Sequence, residues 1–138
     1  MTSIIRQRVK FSAPPDVLFD LYMDSEKHAA ATDAPAKLSS KPGGAWKAHG
    51  GAIGGLNLML IPGRMIAQSW RATHWHDEDV SILILTFAKV KGGTILDLVH
   101  VGVPQYDQKG VRYGWPNYYW KPWKKYLASG KKSRGRKS

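Results

Sequence analysis

The chain has 138 residues, 43% hydrophobic and 22% charged, with a formal net charge of +11. That is enough for one globular domain burying roughly 68% of its unfolded surface, and it is too apolar to be disordered throughout. Cysteine is absent, which excludes disulfides, thiolate metal centres and a catalytic thiol.

The first residues, Met1-Thr2-Ser3-Ile4-Ile5-Arg6-Gln7-Arg8, place charges where a secretory leader is apolar. No later run approaches the ~18–20 apolar residues of a membrane span. A cytoplasmic protein is therefore the default expectation. Ile5, Gln7, Val9 and Phe11 alternate with Arg6, Arg8 and Lys10, the period of a half-buried strand. Pro14-Pro15 stops it. Pro15 suits the first turn of a helix, Asp16 suits its positive end, and Val17, Leu18, Leu21 and Tyr22 form its apolar face. Ser25 is the expected cap of a second short helix, Glu26 to about Ala31.

From residue 35 to 104 the pattern is β. Short apolar runs alternate with Pro42-Gly43-Gly44, Gly50-Gly51, Gly54-Gly55, Pro62-Gly63 and Gly92-Gly93, as in an antiparallel meander. Pro62-Gly63 fits a type II turn. Ile82 to Phe87 is apolar at both parities, which predicts a central strand covered on both faces, with Thr94 to Val101 as its partner. Farther on, residues 114–127 hold six of the fifteen aromatics, and Trp115, Tyr119, Trp123, Tyr126 and Leu127 share one face of a helix. Pro122 should kink that helix. The last 31 residues carry ten Lys/Arg and no acid. The expectation is one domain over residues 1–128 and a disordered basic tail over 129–138, either a solubilising end or a weak contact for an anionic partner. Helices grouped around an antiparallel sheet make the fold class α+β.

This order resembles the helix-grip fold of the SRPBCC (START-like) superfamily, a curved antiparallel sheet wrapped around a long C-terminal helix, with two short helices after the first strand. Local strings resemble one branch of it, the homologues of the activator of the heat-shock protein 90 ATPase. They are Ala13-Pro14-Pro15-Asp16-Val17-Leu18-Phe19, Gly51-Ala52-Ile53-Gly54-Gly55-Leu56-Asn57-Leu58, Pro62-Gly63-Arg64-Met65-Ile66-Ala67-Gln68-Ser69-Trp70-Arg71, Gly92-Gly93-Thr94-Ile95-Leu96-Asp97-Leu98-Val99-His100, and Gly114-Trp115. The resemblance covers about residues 3–128. It implies a cavity between sheet and helix, and a chaperone as a partner.

Strand parity puts Leu96, Leu98 and His100 on one face. If that face meets the helix, His100 is either a ligand-orienting or acid–base group, or a core histidine hydrogen-bonded inside the protein. Gln68 shares a face with Ile66 and Trp70, and its amide needs partners there. Trp46, Trp70, Trp115, Tyr119 and Trp123 can line an aromatic pocket or fill the core. His74-Trp75-His76-Asp77-Glu78-Asp79 contains a His-x-His, but it lies between predicted strands and spacing supplies no third ligand, so no metal is expected. Ser39, Ser40, Ser69 and Ser81 lack a nucleophile-elbow context, and neither glycine-rich pair is followed by a phosphate-loop Lys-Ser/Thr. Lysines interleaved with aromatics at 118–125 suggest a single-strand nucleic-acid platform, but the helical period explains those rings by packing.

These residues predict a non-catalytic domain without cofactor that binds a small apolar or planar aromatic ligand. Trp46, Gln68, Trp70, His100, Trp115, Tyr119 and Trp123 form its site. A chaperone-associated regulator and a cavity enzyme for a hydrophobic substrate are the alternatives.

Overall fold

The computed structural model describes residues 2–133. Strand β1 (Thr2–Phe11) is followed by helices α1 (Pro15–Met23) and α2 (Ser25–Thr32), then by six strands. These are β2 (Lys37–Leu38), β3 (Ala45–Ala48), β4 (Ile53–Ile61), β5 (Met65–Ala72), β6 (Ser81–Val90) and β7 (Gly93–Pro104). All pair antiparallel in one sheet of order β1-β7-β6-β5-β4-β3-β2. Helix α1 starts with Pro15 as expected, but the cap of α2 is one residue earlier than the sequence suggests. The Asp24 carboxylate accepts from the Lys27 backbone N–H at 3.0 Å. Ser25 is the first helical residue, and its hydroxyl accepts from the Leu38 N–H at 2.8 Å, tying α2 to β2. Two neighbouring residues could cap. The carboxylate is also favoured by the helix dipole.

The helices all lie on one side of the sheet. Leu83, Leu85 and Phe87 on β6 and Leu96, Leu98 and His100 on β7 are buried beneath them, while Ile82 and Thr86 are exposed. The expectation that β6 is covered on both faces is therefore corrected. β6 is central, yet among the described residues no second layer covers its outer side. Two close approaches shape this sheet. At Ile61-Pro62-Gly63-Arg64 the Arg64 N–H donates to the Ile61 carbonyl at 2.9 Å with Gly63 at φ 73°, the expected tight turn. On β3, Trp46 stands opposite Gly55, and its indole N–H reaches beyond β4 to the Ser69 carbonyl of β5 at 3.1 Å. A Cβ on Gly55 would run into that carbonyl.

The C-terminal rod is longer than the aromatic segment alone predicts. A short 3-10 turn at Gln105–Asp107 leads into α3 (Gln108–Gly114), a π-helical turn at Trp115–Trp120 and α4 (Lys121–Ser133). The rest of the expected basic tail, residues 134–138, lies outside the described residues. The Lys121 N–H donates to the Pro116 carbonyl five residues back. Pro122 has no N–H for the carbonyl four residues back and would crowd it in a regular helix; a wider turn just before it relieves that conflict. The extra residue broadens the buried stripe. Trp120 joins Trp115 and Tyr119 inside, stacking on Trp115 at 5.5 Å. The Trp120 indole N–H donates to Gln7 Oε1 at 2.7 Å, and Gln7 Nε2 donates to the Arg112 carbonyl at 3.1 Å. One β1 side chain therefore clamps the rod at α3 and at the end of the π turn.

Trp123 is the fully buried centre of this packing, 5.7 Å from the Phe11 ring, 6.3 Å from Tyr22 and 6.1 Å from Tyr119. Its indole nitrogen has no hydrogen-bond partner. Trp123→Ala should therefore cost ~3–5 kcal/mol in urea denaturation through cavity formation, whereas Trp123→Phe, which removes the unpaired donor, should cost less than half of that. Equal losses for the two variants would mean that the ring's volume does not carry the packing.

Candidate functional site

The layer between sheet and rod is crossed by chains of hydrogen bonds whose directions the chemistry fixes. The Ser81 hydroxyl donates to the Trp70 carbonyl at 2.7 Å, so its oxygen accepts from His100 Nε2–H at 2.8 Å. The Trp115 indole N–H then donates to His100 Nδ1 at 3.2 Å. His100 is thereby held as one neutral tautomer with both nitrogens occupied. Burial between Trp70, at 4.8 Å between centroids, and Trp115, at 5.9 Å, pushes it down to about 3.

A second chain locks His28. A backbone carbonyl can only accept, so Nδ1–H donates to the Tyr22 carbonyl at 2.7 Å and Nε2 accepts from the Tyr119 hydroxyl at 3.0 Å. Desolvation pushes His28 down to about 4, and it raises the Tyr22 and Tyr119 hydroxyls, so both stay protonated. A third chain uses Gln68. The Tyr22 hydroxyl donates to Gln68 Oε1 at 2.8 Å, and Gln68 Nε2 donates to Asn57 Oδ1 at 3.0 Å. Asn57 Nδ2 then donates to the Ser39 and Lys41 carbonyls at 2.8 and 3.0 Å. Gln68 thus finds its amide partners inside the protein, linking α1 to the β2–β3 loop through β5 and β4.

Above these chains lies a mostly apolar pocket of about 330 Å³ between the β4–β5 end of the sheet and the rod. Trp70, Trp115 and Tyr119 of the predicted set line it. Trp46, Gln68, His100 and Trp123 do not; they sit behind or beside it, in the packed layer. Residues that sequence reasoning passed over complete the wall: Ile53 and Ala72 from the sheet, Val111 and Tyr118 from the rod, and His49, His74 and Asp107 at polar positions. His49 holds a left-handed backbone, φ 53°, just before Gly50 and Gly51, and its ring packs edge-on to Tyr119 at 5.2 Å. Its Nε2 is buried without a partner, and burial lowers its pKa. The Trp70 indole nitrogen is likewise buried and unpartnered. A non-glycine residue with positive φ ahead of a glycine pair marks a special loop, but sequence alone carries only the glycine pair. At the rim Asp107 Oδ2 accepts from the Trp75 indole at 2.7 Å and contacts His74 Nε2 at 3.0 Å.

The wall can recognise a flat apolar molecule by shape. His100 and His28 are neutral and engaged in the packed layer, while His74 and Asp107 stand as a pair at the pocket rim, the carboxylate also taking the Trp75 indole. Among the described residues no group of three or more His, Asp or Glu is placed to hold a metal. No described helix is long and apolar enough to cross a membrane.

Against known proteins, the family described as "Activator of Hsp90 ATPase homolog 1-like protein" matches residues 12–128. The mouse "Activator of 90 kDa heat shock protein ATPase homolog 1" is 30% identical over 118 residues, 86% of this chain and 35% of that protein. A Dictyostelium discoideum homologue of the same activator is 28% identical over 115 residues, 83% of this chain and 30% of that protein. The chain thus spans about a third of the length of these relatives. A crystal structure of an HSP90 activator from Plasmodium falciparum superposes with a TM-score of 0.81 at 23% identity, covering 93% of this chain and 96% of that one. The Aha1 dimer from Colwellia psychrerythraea does so at 0.78 and 14% identity, covering 94% and 98%. At these identities the two structures show a common fold, the helix-grip α+β architecture.

The locked histidines make stability acid-sensitive. Both have folded pKa values below the ordinary 6.5, so the unfolded chain takes up protons first as pH falls. Their stabilisation is complete above pH 6.5 and declines toward about 4 for His28 and about 3 for His100. Each should contribute a slope of ~1.4 kcal/mol per pH unit below 6.5. Urea titrations from pH 7.5 to 5.0 should show this loss, and His100→Gln should remove ~1.4 kcal/mol per unit of it. An unchanged slope in that variant would mean that His100 is not held neutral.

Proposed function

We propose that this chain, which belongs to the Activator of Hsp90 ATPase homolog 1-like family, is a chaperone-associated regulator that binds heat-shock protein 90 and raises its ATPase rate. The observation that carries this reading is the match itself. Proteins named for that activity, from mouse, human and Dictyostelium discoideum, align with 83–86% of the chain. The geometry is in keeping with a role in recognition. His28 and His100, deep in the interior, are consumed by hydrogen bonds that hold the layers together. What the fold offers a partner is shaped surface.

The pocket favours a second reading, a small apolar or planar aromatic ligand held between sheet and rod. Trp70, Trp115 and Tyr119 give it flat apolar walls, and Trp46, Gln68, His100 and Trp123 hold those walls in place. A ligand burying ~300 Å² of apolar surface there gains about 7 kcal/mol before association costs. The two roles are compatible, because the pocket lies between sheet and rod and a ligand there leaves the outer face of the sheet free.

The purified chain, added to heat-shock protein 90 from the same host, should raise its steady-state ATP hydrolysis severalfold and bind it in titration calorimetry. Absence of both binding and stimulation overturns the chaperone reading. For the pocket, anilinonaphthalene sulfonate should bind with a fluorescence increase, be displaced by long-chain fatty acids or planar aromatics, and lose its binding in Ile53→Trp, which fills the space. Dye binding unchanged by Ile53→Trp would place the dye elsewhere and remove the ligand reading.

A further inference from the structure

The outer side of β6 belongs to a second surface. Because the helices all cover one side of the sheet, no layer of the described residues covers the outward residues of its central strands. Pairing registers place them in rows. Ile4, Val101 and Ile82 lie side by side across β1, β7 and β6. The row continues through Ser69 on β5 to Leu56, whose backbone N–H bonds the Ser69 hydroxyl at 2.9 Å. In the adjoining row Met59, Ala67, Ile84 and Val99 lead to Arg6. Ile4, Leu56, Met59, Ile82 and Val101 are between 37% and 50% exposed. With strands ~4.8 Å apart and alternate residues ~6.8 Å apart, two such rows over five strands cover on the order of 300 Å². That is within the size range of the largest apolar patch on a monomer, and a rim would bring it toward the ~800 Å² per partner of a stable protein contact.

The rim is basic at both edges of the sheet. Arg6, Arg8 and Lys10 project outward along β1, and Lys37 and Lys47 face each other on β2 and β3. Asp97 is the one acid at the outward strand positions, and Arg8 holds it at 2.7 Å. We propose that this open face of β4-β5-β6-β7-β1 is the docking surface for a protein partner that presents an apolar centre framed by carboxylates. A second copy of the chain fits poorly, since face-to-face packing sets basic edges against basic edges. A lipid surface fits less well too. All six tryptophans are buried, and the outward strand positions carry no aromatic ring to seat in a headgroup layer. The partner's identity rests on the chaperone reading above; the surface rests on the sheet.

The test measures binding of the full chain to heat-shock protein 90 from the same host by titration, with circular dichroism and melting to confirm the fold of each variant. Ile82→Glu and Met59→Glu, in the apolar centre, and the double change Arg6→Glu with Lys10→Glu, at the rim, should each weaken binding at least about tenfold. Val17→Glu, at an exposed apolar position of α1 on the helical side, should leave it unchanged. Raising salt from 50 to 300 mM should weaken the unaltered chain more than the rim variant. The rim residues are exposed strand positions, so the double change decides the matter even if a central substitution unfolds the sheet. Unchanged affinity in folded face and rim variants overturns the docking surface and leaves the chaperone reading standing. If the unaltered chain does not bind the chaperone, both fall; binding instead to phosphatidylserine-containing vesicles, lost in the rim variant, would reassign the face to a membrane.

Discussion

The structure depends on burying a rod of large amphipathic rings against one side of an antiparallel sheet. Tryptophan and tyrosine supply more apolar area than aliphatic side chains, but each carries a polar tip that is costly to strand in a dry interior. The chain meets this cost locally. The Trp115 indole is satisfied by His100, the Tyr119 hydroxyl by His28, the Tyr22 hydroxyl by Gln68 and the Trp120 indole by Gln7. Every one of these acceptors needs a second partner of its own, and so hydrogen bonds run in series from the rod through the sheet. Trp123, at the centre, is left without a partner. There, packing from Phe11, Tyr22 and Tyr119 has to outweigh the missing bond.

This arrangement changes what the interior residues mean. A buried histidine beside a pocket invites an acid–base reading. In His100 the same burial that places the ring near Trp70 and Trp115 removes its charge, and the two flanking hydrogen bonds remove its free lone pair and its free proton. Gln68 is similar: an inward amide that looked able to anchor a ligand is the midpoint of a relay from α1 to the β2–β3 loop. Among the described residues the groups with open valence at the inner layer are His49 Nε2 and the Trp70 and Trp123 indole nitrogens, and two of those three residues line the pocket.

Much of the fold was legible because it follows local rules. Alternation in residues 5–11 marks β1, Pro15 marks the start of α1, Pro62-Gly63 marks a turn, and parity after Gly93 puts Leu96, Leu98 and His100 on the core face. What stayed hidden depends on tertiary context. Ile82 and Ile84 are as apolar as Leu83 and Leu85, and periodicity cannot say that one side of β6 has no cover. Trp120 sits off a regular helical stripe and comes inside only because Pro122 forces a π turn before it. The pocket wall joins His49, His74 and Asp107, far apart in the chain, through the pairing of β4 with β5 and the docking of α3. Asp24 caps α2 in place of the expected Ser25, because β2 takes the serine hydroxyl for its Leu38 N–H.

Strand β5 is where these features meet. Its pleat sends Gln68 and Trp70 toward the rod, into the hydrogen-bond chains and the pocket, and sends Ala67 and Ser69 toward the open face. Ser69 is also engaged on both sides, since its carbonyl takes the Trp46 indole and its hydroxyl takes the Leu56 N–H. A load applied to the outer rows must therefore act on a strand whose Gln68 side chain is fixed by Tyr22 and Asn57 and whose Trp70 carbonyl is held by Ser81. Packed layers yield by shifting between discrete arrangements and not by bending smoothly. An occupant of the pocket and a partner on the open face would then be coupled through one strand about as thick as a single backbone. For that coupling to carry a free energy, each occupant must favour a different arrangement of β5. The unpartnered Trp70 indole supplies an inner group with a hydrogen bond still to gain in a second arrangement, and its carbonyl, already held by Ser81, supplies the restraint against which it would move.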